Sequence, residues 1–185
     1  YTAIEKGTVN LYSVPVAGGA PKLVKKSGTI SQIQVGPDFV LFANSTLTTP
    51  PDLFRVSHDG SAMKKLTDEN ASWLNQTAMP QYESLTVRGA AGASIQYWLL
   101  NPPNFDSSKK YPVVFLIHGG PQGAWDDGWS YRWNPALWAS QGWVIAAPNP
   151  RGSTGFGQKF VDEISQDWCG KAMTDLNAVF DTVVK

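Results

Sequence analysis

Cysteine is almost missing from this chain: Cys169 is the only one in 185 residues. No disulfide can close inside the sequence. Cys169 reads either as a buried free thiol or as one half of a pair with a cysteine beyond Lys185. No histidine lies in a motif around it, which argues against a catalytic thiol. Histidine is scarce too, at two residues, His58 and His118. Two isolated histidines and one cysteine make no metal-ligand spacing, so no metal is expected. Net charge is zero, with 15 basic and 15 acidic residues, which argues against a nucleic-acid surface or a polybasic membrane contact. No apolar run approaches the ~18 residues of a membrane-spanning helix. The stretch Tyr1 to Lys6 has no signal-peptide core; for an internal segment that carries no information on secretion. No Gly-x-Ser-x-Gly occurs anywhere.

Among what is present, Tyr111-Pro-Val-Val-Phe-Leu-Ile-His-Gly-Gly-Pro-Gln-Gly123 carries most information. Val113 to Ile117 is a β-branched, apolar run that reads as a fully buried strand. It stops at His118-Gly119-Gly120-Pro121, where two glycines let the backbone turn and let amide N–H groups approach a substrate closely. In α/β-hydrolases this strand-to-loop junction supplies one donor of the oxyanion hole. Gly120 is the candidate donor. His118, at the strand end, reads as a positioning residue that hydrogen-bonds the loop, and His58, in Ser57-His-Asp-Gly60, as a solvated turn residue.

A second glycine-rich loop, Asn149-Pro-Arg-Gly-Ser-Thr-Gly-Phe-Gly157, follows another buried run, Trp143 to Ala147, that Pro148 should end. Open α/β sheets place ligands at such strand ends. Ser153 lacks the elbow pattern of a nucleophile. Arg151 has two readings, a pair with a buried carboxylate or a contact to a substrate carbonyl, and the first is preferred. The Gly-x-Gly pieces make only a weak dinucleotide signal, and no cofactor is expected.

The first 80 residues hold an internal repeat. Asn10-Leu-Tyr-Ser-Val14 with Lys22-Leu23 recurs as Asp52-Leu-Phe-Arg-Val56 with Lys65-Leu66; the leucine pairs lie 42 and 43 residues apart. That spacing fits one blade of a β-propeller, though two copies cannot close one. Tyr82 to Arg88 and Ser94 to Leu100 read as a hairpin. Helices are expected over Trp133 to Gln141, ending at Gly142, over Gly157 to Ser165, and over Met173 to Val184, with Thr174 or Asp175 as cap of the last. Strand and helix alternate here, as in an α/β sheet covered on both faces. The expected domains are 1–78, the end of a propeller, and 79–185, the start of an α/β-hydrolase domain. Tryptophan is abundant, with 8 residues, which implies a large core or interface. Asn44, Asn70 and Asn75 begin N-glycosylation sequons in polar, turn-like stretches, which implies a secreted glycoprotein.

Together, His-Gly-Gly-Pro, Arg-Gly-Ser-Thr-Gly-Phe-Gly, Leu53 to Thr67, Asp167-Trp168 with Gly170, and Asp175-Leu176 resemble the prolyl oligopeptidase family of serine peptidases, in its dipeptidyl-peptidase branch. The resemblance covers nearly the whole chain. It implies a propeller joined to an α/β-hydrolase domain, a Ser-Asp-His triad lying entirely beyond Lys185, peptides as substrates and a secreted location. Of the family's functional residues only the oxyanion glycine transfers, onto Gly120. The 185 residues alone should then be inactive. An acylaminoacyl peptidase or esterase on the same scaffold, or a non-catalytic binding or antigenic module, are the competing readings.

Overall fold

The computed structural model describes residues 1–26 and 28–185. The chain divides into two compact units, Tyr1–Thr77 with Asp126–Arg132, and Ala78–Trp125 with Trp133–Lys185. The division thus departs from a single cut after residue 78: a seven-residue stretch of the second half packs with the first.

In the first unit, β1 (Thr2–Glu5), β2 (Thr8–Ser13), β3 (Lys22–Lys25), β4 (Thr29–Val35), β5 (Phe39–Thr46), β6 (Thr49–Ser57) and β7 (Lys64–Lys65) form one sheet among the described residues, ordered β1-β2-β4-β5-β6-β7 with β3 also on β2. The repeated sequence pairs appear as two antiparallel hairpins, β2 with β3 and β6 with β7. β4 to β7 run as an antiparallel meander, and a single parallel bridge, Val9 to Thr29, joins it to β2. Leu11, Ile30, Val40, Phe42 and Val56 form the core, each contributing about 1.5–3 kcal/mol by burial. A single turn of helix, α1 (Ala71–Leu74), follows.

Asp126–Arg132 is tied to this sheet by its backbone and side chains. Leu47 N–H donates to Asp127 Oδ1 at 2.9 Å, and Asp127 N–H donates to Gly7 O at 2.7 Å. Gly128 packs so close that a Cβ there would lie 2.9 Å from Thr29 Oγ1. Trp129 meets Trp73 at 5.9 Å and Tyr131 at 6.0 Å between ring centroids.

In the second unit, β8 (Gln81–Arg88) and β9 (Ser94–Asn101) make the expected hairpin in continuous register. β10 (Val113–Phe115) and β11 (Val144–Asn149) complete a sheet ordered β10-β11-β9-β8, with β10 and β11 parallel and the other pairs antiparallel. β11 is central, and all six of its residues are buried, which is why its sequence shows no alternation. Helices α2 (Pro135–Ala139), α3 (Gln158–Asp162) and α4 (Lys171–Val183) follow the chain order expected. Asn134 caps α2: its Oδ1 accepts from Ala136 N–H at 2.9 Å. α4 packs Val179 against Ile95 and Tyr97, and Phe180 meets Phe115 edge-on at 6.0 Å.

Several expectations are corrected. β10 is half-buried, and Ile117 is 57% exposed, because β10 lies at the edge of the sheet among the described strands. Pro148 does not end β11, which runs one residue further and pairs Pro148 with Tyr97. α4 begins at Lys171 after Gly170, so neither Thr174 nor Asp175 caps it; Asp175 is inside the helix and fully buried. Cys169 is exposed, not buried. Asn44 lies within β5, only 8% exposed and opposite Asp52. A glycan on its amide nitrogen would have to occupy the protein interior, so Asn44 is withdrawn as an acceptor. Its polar run Asn-Ser-Thr reads as a turn in sequence, but strand pairing with β6 carries it through.

Candidate active site

The loop after β10 holds the candidate donor. The ladder continues one bond beyond the strand, Leu116 N–H donating to Ala146 O at 2.8 Å, and then the chain turns. Gly120 has φ of 131°, and a Cβ there would lie 2.8 Å from Gln122 N. Only glycine takes this conformation without strain. Gly120 is exposed, and among the described residues no hydrogen bond uses its N–H.

The loop is pinned from three sides. Asn149, fully buried at the end of β11, grips the backbone of Trp125: its Oδ1 accepts from Trp125 N–H at 2.7 Å, and its Nδ2 donates to Trp125 O at 2.9 Å and to Gln96 Oε1 at 2.5 Å. Trp98 Nε1 donates to Trp125 O at 3.0 Å, and Trp125 Nε1 donates to Leu116 O at 2.8 Å. Thr154 N–H donates to Gly123 O at 2.8 Å, joining the two glycine-rich loops directly. The third tie is the side-chain pair of His118 and Ser153, with Nε2 and Oγ 2.9 Å apart.

That pair has a definite polarity. Ser153 Oγ donates to Pro150 O at 2.5 Å, so its remaining lone pair accepts from His118 Nε2–H. Nδ1 lies 3.1 Å from Gly119 O. A neutral imidazole has one N–H and cannot donate at both nitrogens. Protonation would serve both contacts, yet burial lowers the His118 pKa below its ordinary value, opposed by the Gly119 carbonyl. Ser153 is 0% exposed, with its proton already committed. It is a structural hydroxyl. His118 therefore acts on the loop, as its place in the sequence implies, and His58 sits in an exposed turn within 3.1 Å of the Gly36 and Phe39 carbonyls.

Arg151 anchors the second loop. It is 3% exposed, with Nε 2.8 Å from Glu163 Oε2 and 3.8 Å from Asp175 Oδ2, and Nη2 donates to Ala90 O. The buried-carboxylate reading is the one observed. Asp175 accepts from Ala90 N–H at 2.8 Å and from Arg151 N–H at 3.1 Å. Desolvation raises the Asp175 pKa, against these hydrogen bonds and the Arg151 charge. Beside the first loop opens a cleft of about 580 Å³ walled by Phe115, Ile117, His118, Gly119, Trp133 and Trp138 among others. Gly120, His118 and the Arg-Gly-Ser-Thr-Gly loop are thus brought together. The sequence placed Asn149 in the second loop, Asp175 as a candidate helix cap and Gln96 in a strand, without their buried roles; the available signal was a polar residue closing an otherwise apolar strand, in the case of Asn149, and a carboxylate in an apolar helical register, in the case of Asp175. Of the sequons, Asn70 is half-buried, its Oδ1 taking a long 3.4 Å bond from Trp73 Nε1, and Asn75 is exposed.

A sheet ordered β8-β9-β11-β10, one parallel pair, helices after β10 and β11, and a glycine turn at a strand end define an α/β-hydrolase architecture. The same fold occurs in the acylaminoacyl peptidase of Pyrococcus horikoshii, with a TM-score of 0.86 and 23% identity over 99% of this chain and 28% of that one. It occurs also in dipeptidyl peptidase 4 of Porphyromonas gingivalis, with a TM-score of 0.68 and 19% identity over 96% of this chain and 28% of that one. Residues 129–185 match the prolyl oligopeptidase family. The chain is 40% identical over 188 residues to the probable dipeptidyl-peptidase 5 of Trichophyton verrucosum, and 40% identical over 192 residues to dipeptidyl-peptidase 5 of Arthroderma otae; each alignment covers 98% of this chain and 26% of the relative. The family match thus lies in residues 129–185, and the chain spans about a quarter of the length of these curated relatives.

Proposed function

We propose that the protein is a secreted serine peptidase that releases dipeptides from peptide N-termini. In this reading residues 1–78 are the last blades of a β-propeller and 79–185 the first part of the peptidase domain. Gly120 N–H stabilises the oxyanion of the tetrahedral intermediate. The attacking serine, its histidine and the orienting aspartate belong to polypeptide outside these 185 residues. The observation that carries the reading is the N–H of the exposed Gly120, unclaimed among the described residues and held in a conformation only glycine takes easily, on a loop fastened by Asn149, Ser153 and Thr154. An oxyanion donor must be pre-positioned and free, since its contribution comes from needing no reorganisation as charge develops. His118 contributes by fixing the loop and is a positioning residue.

The test is Gly120→Ala in the whole protein, assayed with a dipeptidyl chromogenic substrate. The variant keeps an N–H but forces the backbone off φ 131°. Turnover should fall roughly 10²–10³-fold, as when an oxyanion donor is removed, with KM little changed. Unaltered turnover in a folded variant would reject the role. A second reading, an acylaminoacyl peptidase, draws on the fold shared with the Pyrococcus enzyme. Comparing free-amine dipeptidyl substrates with N-acetylated amino-acid substrates separates the two. Cleavage of the acetylated series alone would replace the first reading with the second.

A further inference from the structure

The N–H of Gly120 and the C=O of Gly119 belong to one peptide group. That peptide bond is trans, so the group is planar and its C=O and N–H point in opposite directions. Whatever holds the Gly119 carbonyl therefore aims the Gly120 N–H. The side chain that meets this carbonyl is His118, whose Nδ1 lies 3.1 Å from Gly119 O. The far nitrogen of the ring is already placed: Nε2 lies 2.9 Å from Ser153 Oγ, whose own proton goes to Pro150 O. Nε2 thus carries the hydrogen, and in the neutral ring Nδ1 turns a lone pair toward the carbonyl oxygen. Two facing lone pairs repel; a proton at Nδ1 converts the contact into a charge-assisted hydrogen bond.

The surroundings of the ring leave that proton to act alone. β10, β11, α2 and the loop from Gly119 to Trp125 contain no ionisable side chain. In the second loop the one charged residue, Arg151, turns its guanidinium to Glu163 and Asp175. Burial, which lowers the His118 pKa, and the Gly119 carbonyl, which opposes it, are the two influences on the ring. We propose that His118 is a proton-controlled positioning residue for the oxyanion donor: a proton at Nδ1 draws in the Gly119 carbonyl, sets the plane of the shared peptide and fixes the Gly120 N–H on the side facing away from the imidazole. Ser153 contributes by holding Nε2. The inference rests on the proposed role of Gly120 and gives the two glycines unequal tasks, Gly119 to be held and Gly120 to donate.

The experiment measures kcat and KM of the whole protein on a dipeptidyl chromogenic substrate for wild type, His118→Gln and His118→Asn. It runs from about pH 5 to 8, where imidazole changes charge. Each variant replaces a half-buried ring with a smaller amide. The Asn amide nitrogen is bonded to Cγ, as Nδ1 is, and donates to Gly119 O at any pH; the Gln amide reaches one bond further, to Ser153, and leaves the carbonyl unheld. Titration of the triad itself is common to all three and divides out of their ratios. The kcat ratio of wild type to His118→Gln should rise as pH falls, by on the order of tenfold, within the roughly 10²–10³ that a whole donor contributes, with KM little changed. His118→Asn should exceed His118→Gln by a similar factor throughout the window. A residue that only braced the loop through Ser153 gives the reverse order and a flat ratio, and either of those results overturns the proposal. Gly120→Ala keeps the two levels apart. Unaltered turnover there removes the donor reading itself, whereas a collapse there beside a flat wild-type to His118→Gln ratio removes only the role of His118.

Discussion

Gly120 and Ser153 show how one residue's role depends on what its polar atoms have left to give. Gly120 offers an N–H that none of the described residues takes; Ser153 offers none, because its hydroxyl proton goes to Pro150 O and its lone pair to His118. Ser153→Ala should therefore leave covalent labelling of the whole protein by a fluorophosphonate probe intact, and abolished labelling would make Ser153 the nucleophile after all. The same variant leaves His118 Nε2–H short of a partner and should cost about 1–3 kcal/mol, readable as a lower urea midpoint. His118 adds a pH signature. Burial lowers its folded-state pKa, so below the ordinary imidazole value of about 6.5 the unfolded chain takes up a proton that the folded chain refuses. The stabilisation is complete above that value and is lost as pH falls through the folded-state pKa. The stability difference between wild type and His118→Asn should shrink over that window; a constant difference from neutral to acid would show that the ring titrates freely.

At the scale of elements, two loops and a helix are held as one body by buried polar groups. Asp175 accepts the backbone N–H groups of Ala90 and Arg151 and faces the Arg151 guanidinium, tying α4 to the β8–β9 turn and to the loop after β11. Removing one partner from such a buried set leaves an uncompensated charge, typically about 3–5 kcal/mol. Asp175→Ala should destabilise the protein by that order in a denaturant titration. A cost under ~1 kcal/mol, the level of an exposed ion pair, would mean that Arg151 finds other partners. Helix periodicity marks a carboxylate on the inner side of α4, but not the groups of the β8–β9 turn and of the loop after β11 that it meets.

For the whole molecule, the proposed secreted state has a readable consequence. Asn75 is exposed and Asn70 half-buried, whereas Asn44 is sealed within β5. Glycopeptide mass spectrometry of protein from a secreting eukaryotic host should find glycan at Asn75, and should find none at Asn44. A fully occupied Asn44 would contradict the strand pairing of β5 with β6. The division into units follows a similar logic. Asp126–Arg132 leaves the second unit in sequence to supply Asp127 and Trp129 to the first, and nothing in the local composition of Asp-Asp-Gly-Trp-Ser-Tyr-Arg announces which sheet it will join.

Alternation, β-branched runs and glycine placement determined by themselves the β8–β9 hairpin, the central strand β11, the order of helices and the turn at Gly120, because those signals act over a few residues and through backbone sterics. His118 as a loop-holding residue and Arg151 as a partner of buried carboxylates were legible for the same reason: a polar group at the end of an apolar strand must find a partner nearby. Only tertiary structure decided which partners they found. Asn149 with Trp125 and Asp175 with Ala90 and Arg151 are contacts between residues 24 to 85 positions apart in sequence, and the burial of these residues and of Asn44 is set by the packing of whole strands, not by any one stretch of chain.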